Sequence, residues 1–187
     1  DELNTIYLND WNNSFSTKST PLAIRLADEY KTVFHFAKNK DRGYSVVTSI
    51  KQGEANLTFK HLKNQIDIIE VTLKKPLKPN AFYTIDLEYV VQIPSDKFTS
   101  YGITDLGDIN LRYWYITPAV YNGKWHYFSN KDLDDAYIPK ADQTFEITYP
   151  ERYILTSELN ETGNTKQNGN ITTTLEGKDR VNTKLFI

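Results

Sequence analysis

The chain has 187 residues, 39% of them hydrophobic and 13% aromatic, and its 22 Lys and Arg stand against 24 Asp and Glu for a net charge of -2. Such a composition suits a domain with a buried core and excludes disorder and a basic nucleic-acid binder; no run approaches the roughly eighteen apolar residues of a membrane-spanning helix. With no Cys there is no disulfide, thiolate metal site or cysteine nucleophile.

Taken in chain order, the pattern is mostly that of strands. Leu3 to Leu8 opens the series. Leu22, Leu26, Tyr30, Val33, Phe34 and Ala37 then recur at spacings of three and four, which stacks them on one face and predicts an amphipathic helix near residues 21–38. Thr20 before Pro21 supplies its start, because a hydroxyl accepts from a free N–H of the first turn and proline tolerates the first helical position. Leu57 with Phe59, and Ile69 with Val71 and Leu73, read as strands, and Pro76, Pro79 and Asn80 mark a turn. Ile85, Leu87, Tyr89, Val91 and Ile93 alternate with polar residues, interrupted by Val90, the period-two pattern of a half-buried strand. Phe145, Ile147 and Tyr149 give another strand, closed by Pro150. Asn160 to Asn170 reads as a polar loop, and Ile171–Leu175 with Val181–Ile187 as a hairpin turning at Glu176-Gly177-Lys178-Asp179. The expected fold is mainly β, an antiparallel sandwich with one helix, and residues 1–187 form a single domain.

Little local chemistry is visible. His35, His61 and His126 are far apart and form no zinc-ligand spacing, and no phosphate loop or nucleophile elbow is present. The acidic run Asp132-Leu133-Asp134-Asp135 lacks the glycine and closing glutamate of a calcium loop and reads as a solvated turn. Nothing here makes the chain a self-contained enzyme, and no metal or cofactor site is expected within it. The absence of Met, and the end on the strand-like VNTKLFI, are what a fragment of a longer chain would show. The densest feature is Gly107–Phe128, with Tyr113, Trp114, Tyr115, Tyr121, Trp125, Tyr127 and Phe128. Such residues either fill and edge a sheet or form a binding surface, with Tyr113, Trp114, Trp125 and Tyr127 as a stacking platform for a carbohydrate or protein.

The order of features from this segment onward resembles a known family. Arg112-Tyr113-Trp114 runs into Thr117-Pro118, an acidic loop follows, then Ala141-Asp142-Gln143-Thr144-Phe145-Glu146-Ile147-Thr148-Tyr149-Pro150 and Tyr153-Ile154-Leu155-Thr156-Ser157. This resembles the amino-terminal β domain of the aminopeptidase N-like zinc metallopeptidases. The early stretch from Ile6 to Phe15 and the Pro21 helix look like its variant in Bacteroidetes-type bacteria. The resemblance implies a saddle-shaped, antiparallel, non-catalytic domain that lines one side of the peptide cleft. Its partner would be its own downstream catalytic domain, which would hold the zinc, and the protein would be exported to the periplasm or cell envelope. In many members a Gln or Glu just before the arginine strand anchors the substrate's α-amino group, since a carboxylate or amide oxygen accepts bonds from the ammonium. Here Leu106-Gly107-Asp108-Ile109-Asn110 has neither, so the resemblance puts Asp108 and Asn110 in that place, with Arg112 beside them as a cleft residue or a structural ion-pair partner. This departure, and Ala119-Val120-Tyr121 after Pro118 in place of the family's acidic pattern, leave exopeptidase and endopeptidase action both open.

Overall fold

A computed structural model describes residues 2–132 and 137–187. Along the chain come β1 (Leu3–Asn9), a 3-10 turn (Trp11–Phe15), α1 (Pro21–Asp28), β2 (Tyr44–Gln52), β3 (Ala55–Asn56), β4 (Thr58–Leu62), β5 (Gln65–Leu77) and β6 (Asp86–Gln92). Short strands follow: β7 (Gly102–Ile103), β8 (Ile109–Leu111), β9 (Thr117–Pro118), β10 (Val120–Tyr121) and β11 (Trp125–His126). The series ends with β12 (Ala141–Pro150), β13 (Thr156–Ser157), β14 (Asn160–Gln167), β15 (Asn170–Arg180) and β16 (Leu185–Phe186). The fold is mainly β, with antiparallel sheets and one α-helix among the described residues. The chain divides into two compact units, Asp1–Pro94 with Trp114–Tyr137, and Ser95–Tyr113 with Ile138–Ile187.

The first unit is built on β5, at 13 residues the longest strand among the described residues. It pairs with β4 on one side and β1 on the other, in the order β4-β5-β1-β9, while β3-β2-β6 forms a second sheet. Leu8 lies opposite Ile69 and Ile6 opposite Val71. Leu8, Ile50, Leu57, Ile69, Val71 and Leu73 make the core, to which Ile6, Val47, Phe59 and Leu87 add partly buried surface. Each fully buried side chain of this size contributes roughly 1.5–3 kcal/mol. β6 shows the alternation read in the sequence, and Val90 does not break it, because it lies on the exposed face.

The helix begins as expected, with Thr20 accepting from Ala23 N–H at 3.2 Å and Pro21 in the first turn. It stops at Asp28, ten residues short of the expected end at 38. Tyr30 takes φ 60°, its N–H donates to Ala27 O at 3.0 Å, and Lys31 N–H donates to Leu26 O at 2.7 Å. That pair of bonds is a Schellman termination. Of the later stripe residues, Tyr30 and Val33 are exposed, whereas Phe34 is buried edge-on to Phe15 and under the Arg42 guanidinium.

In the second unit β12-β15-β14 forms one sheet and β13-β16-β8-β7 another. Two expectations fail here. The polar stretch 160–170 is not a loop: Asn160–Gln167 is the edge strand β14, turning through Asn168 (φ 51°) and Gly169 (φ 76°) into β15. The expected turn at Glu176–Asp179 is strand instead, since β15 continues to Arg180 opposite β12. Gly177 is there for packing, as a Cβ would meet Leu159 Cδ2 at 2.5 Å.

Candidate functional site

Asp108, Asn110 and Arg112 all fall in the second unit. Thr104 shapes the turn before β8: its hydroxyl accepts from the N–H groups of Leu106 (3.2 Å) and Asp108 (3.1 Å), and its own N–H donates to Asp108 O at 2.9 Å. Gly107 at φ 93° completes this turn. Asp108 is thereby fixed at an exposed corner where β8 begins. Asn110, within β8, uses its amide to donate to Ser100 O at 2.6 Å. The Arg112 guanidinium lies 4.8 Å from the centre of the Tyr113 ring and donates to the Tyr113 hydroxyl at 2.9 Å. Of the three, Asp108 presents an exposed carboxylate, while Asn110 holds backbone and Arg112 rests on its neighbour.

The aromatic segment is divided between the units. Tyr113 belongs to the second and is buried. In the first unit the hairpin β10–β11 packs on β1: Tyr7 stacks on Tyr127 at 4.2 Å and meets the edge of Trp125 at 5.7 Å, and Tyr121 lies 5.1 Å from Trp125. Trp11 Nε1 donates to Phe128 O at 3.0 Å. Tyr113 and Tyr127 thus have ring surface committed within the fold, and the four-ring platform loses those faces. The Tyr7 hydroxyl donates to Glu70 Oε2 at 3.1 Å. Burial, with the neighbouring Glu70 carboxylate adding to it, pushes the phenol up to about 12. Glu70 in turn is held below the usual carboxylate range, chiefly by its bond from Lys60.

The sequence reading missed a buried polar cluster in the first unit. Asp67 accepts from the Ser129 hydroxyl at 2.8 Å and from Asn130 N–H at 2.6 Å, and its carbonyl accepts from Asp10 N–H at 2.8 Å. Asp10 accepts from the Asn13 amide at 2.6 Å and from the Ser45 hydroxyl. Burial raises both carboxyls above their ordinary value, Asp67 to about 6. The available signal was a carboxylate inside Ile66-Asp67-Ile68-Ile69, where an apolar run admits a charge only if hydrogen bonds receive it.

Beside α1 an open cavity of about 670 Å³ is lined by Ile24, Arg25, Asn64, Gln65, Phe128 and Lys131 among others. Arg25 there is paired with Glu29 at 2.8 Å and Asp132 at 3.0 Å. Leu133, Asp134 and Asp135, the rest of the acidic run, lie outside the described residues. Among the described residues no group of three or more His, Asp or Glu could hold a metal ion. No helix among them is long and apolar enough to cross a membrane.

No family model and no curated protein sequence matches the chain. Solved structures do match. Over 100% of its length the chain is similar to an M1 zinc metallopeptidase from Deinococcus radiodurans, with a TM-score of 0.57 at 14% identity, covering 34% of that chain. A mutant of that peptidase bound to a Tyr-Ser-Ala substrate gives 0.58 at 14% identity and 35% coverage. A two-domain M1 zinc metallopeptidase mutant bound to L-arginine gives 0.52 at 15% and 35%. The likeness is one of fold, and the chain spans about a third of the length of these peptidases.

Proposed function

We propose that this chain is the non-catalytic amino-terminal β domain of an aminopeptidase N-like zinc metallopeptidase, of the Bacteroidetes type, acting as a single domain that lines one side of a peptide cleft. The observation that carries this reading is the fold match, which takes in all of this chain and a third of each M1 peptidase. The matched structures are zinc metallopeptidases, and in this reading the zinc belongs to a downstream catalytic domain. Asp108 is the residue of the three to face a substrate amino group, because its carboxylate is exposed while Asn110 is bound to Ser100. Export to the periplasm or envelope completes the proposal.

The coding sequence beyond Ile187 tests it. A zinc-binding HExxH helix with a distal glutamate is expected, and a stop codon directly after Ile187 would overturn the reading. The chain alone is expected to leave aminoacyl-coumarin substrates intact and to bind no stoichiometric zinc. In the full-length enzyme, Asp108→Ala should raise KM for substrates with a free amino group roughly tenfold, the worth of one charged hydrogen bond. A KM unchanged by that substitution would remove Asp108 from the cleft.

A further inference from the structure

The connection from β5 to β6 carries a feature that the peptidase reading does not use. Lys78-Pro79-Asn80-Ala81 closes a tight turn in which Ala81 N–H donates to Lys78 O at 3.1 Å and Asn80 takes φ 60°. Proline presets the second position and asparagine tolerates the left-handed third, the pattern of a type II turn. Across the base, the Tyr83 hydroxyl donates to Pro76 O at 2.8 Å. This pinned loop presents Phe82, 98% exposed. A phenyl ring held in water by an ordered turn forgoes the burial that places most phenylalanines in cores; a lone exposed ring is ordinary, and it is the surroundings of this one that set it apart.

The surroundings of the ring are basic. Lys74 and Lys75, near the end of β5, and Lys78, in the connection itself, are exposed. Lys74, Lys75, Phe82 and Tyr83 line one open cavity of about 460 Å³, where Glu54 is the carboxylate among the lining residues. Asp86 follows at the start of β6, opposite Lys51 in the register with β2. A local excess of positive charge thus surrounds a bare ring in a chain whose net charge is -2.

We infer that this connection docks on an anionic lipid surface, with Phe82 entering the interfacial layer and Lys74, Lys75 and Lys78 facing the headgroup phosphates. Charge complementarity and shape select this occupant. An aromatic anchor of a protein interface sits at the centre of a patch whose neighbours exclude water, and lysine is depleted from such patches. A ring just past a turn, beside the half-exposed Tyr83 and among long cationic side chains, matches the membrane interface, where rings bury at headgroup depth and lysines meet anionic lipid. The inference stands apart from the peptidase reading and can fail without it.

Co-sedimentation of the chain with phosphatidylcholine vesicles, with and without phosphatidylglycerol, tests it. Binding is expected only with phosphatidylglycerol present and should weaken as salt is raised. Phe82→Ala should lower the partition coefficient roughly tenfold, and each of Lys74→Ala, Lys75→Ala and Lys78→Ala roughly fivefold. Lys178→Ala, an exposed lysine of the second unit, should leave it unchanged. Thermal midpoints of all these variants should match the wild type, since each side chain is exposed. No binding at low salt, or a loss with Lys178→Ala equal to that with Lys75→Ala, would overturn the inference. So would Phe82-dependent self-association in sedimentation velocity without vesicle binding, which would assign the ring to a second copy of the chain.

Discussion

Asp67 is removed from water altogether, yet it sits between two isoleucines on the central strand of its sheet. Its two carboxylate oxygens take one neutral donor each, Ser129 and Asn130, and the buried Asp10 carboxylate nearby adds like charge. Burial is the largest effect and carries the group from an ordinary 3.8 to about 6. A carboxyl raised in this way binds its proton more tightly in the folded chain than in the unfolded one. Its favourable contribution is therefore complete below the unfolded value and is lost as pH rises through the folded one. Between about pH 4 and pH 6 the chain should gain stability on acidification, by up to about 3 kcal/mol from this group at 1.36 kcal/mol per unit. Asp10 is raised by burial too and adds with the same sign. Glu70 is depressed, so its contribution has the opposite sign and is lost only at lower pH, as its own carboxylate titrates. Urea midpoints measured across this range should rise toward acid in the wild type and flatten in Asp67→Asn; an unchanged slope in the variant would remove Asp67 as the source.

At the scale of elements, the end of α1 isolates one backbone cost. Tyr30 occupies the left-handed position of the Schellman termination, where a side chain costs roughly 1–2 kcal/mol and glycine is the usual occupant. Its ring is 91% exposed, so little packing is lost with it. Tyr30→Gly should stabilise the chain by about 1 kcal/mol, after the extra freedom glycine brings to the unfolded state is deducted. A fall in the urea midpoint would show that the ring holds a contact that its exposure hides. The same helix end shows where the sequence could be read and where it could not. A period of three and four continued to Ala37, but periodicity reports faces and not backbone reversals, and Tyr30 carries no glycine to announce one. β6 was legible because one face is half-buried and the other wet, which writes an alternation into the residues. β14 was not: it is an edge strand, almost wholly exposed, and nothing selects apolar residues there. Its Asn168-Gly169 doublet was the readable signal, since both residues suit positive φ. Gly177 misled in the opposite way, because a glycine required by close packing against Leu159 looks, in sequence, like a turn. The candidate site was legible only as a strand position: Asp108 could be placed near Arg112, but the capture of Asn110 by Ser100 depends on a positive-φ serine that no pattern marks.

For the whole molecule, connectivity decides how the two units behave together. Neither is a continuous piece of chain: Ser95–Tyr113 leaves the first unit to build β7 and β8, and the chain then returns to build β9 against β1. If the second unit unfolded alone, the first would still have to hold both ends of that segment together. Closing a flexible loop of this size costs about 2–3 kcal/mol, which the folded second unit removes by keeping the segment ordered. Loss of one unit therefore weakens the other, and a single cooperative transition is expected. Gly169→Ala provides the perturbation, because it is confined to the second unit and purely conformational: a Cβ there meets nothing within 4 Å but must sit at φ 76°. The strain of roughly 1–2 kcal/mol should lower the midpoint by about 3–6 °C in a chain of this length. All three tryptophans, Trp11, Trp114 and Trp125, lie in the first unit, so their fluorescence reports a unit that the substitution does not touch. The fluorescence midpoint and the far-ultraviolet circular dichroism midpoint should fall together. A fluorescence midpoint that stays at the wild-type value while circular dichroism broadens would make the units independent domains and end the single-domain reading.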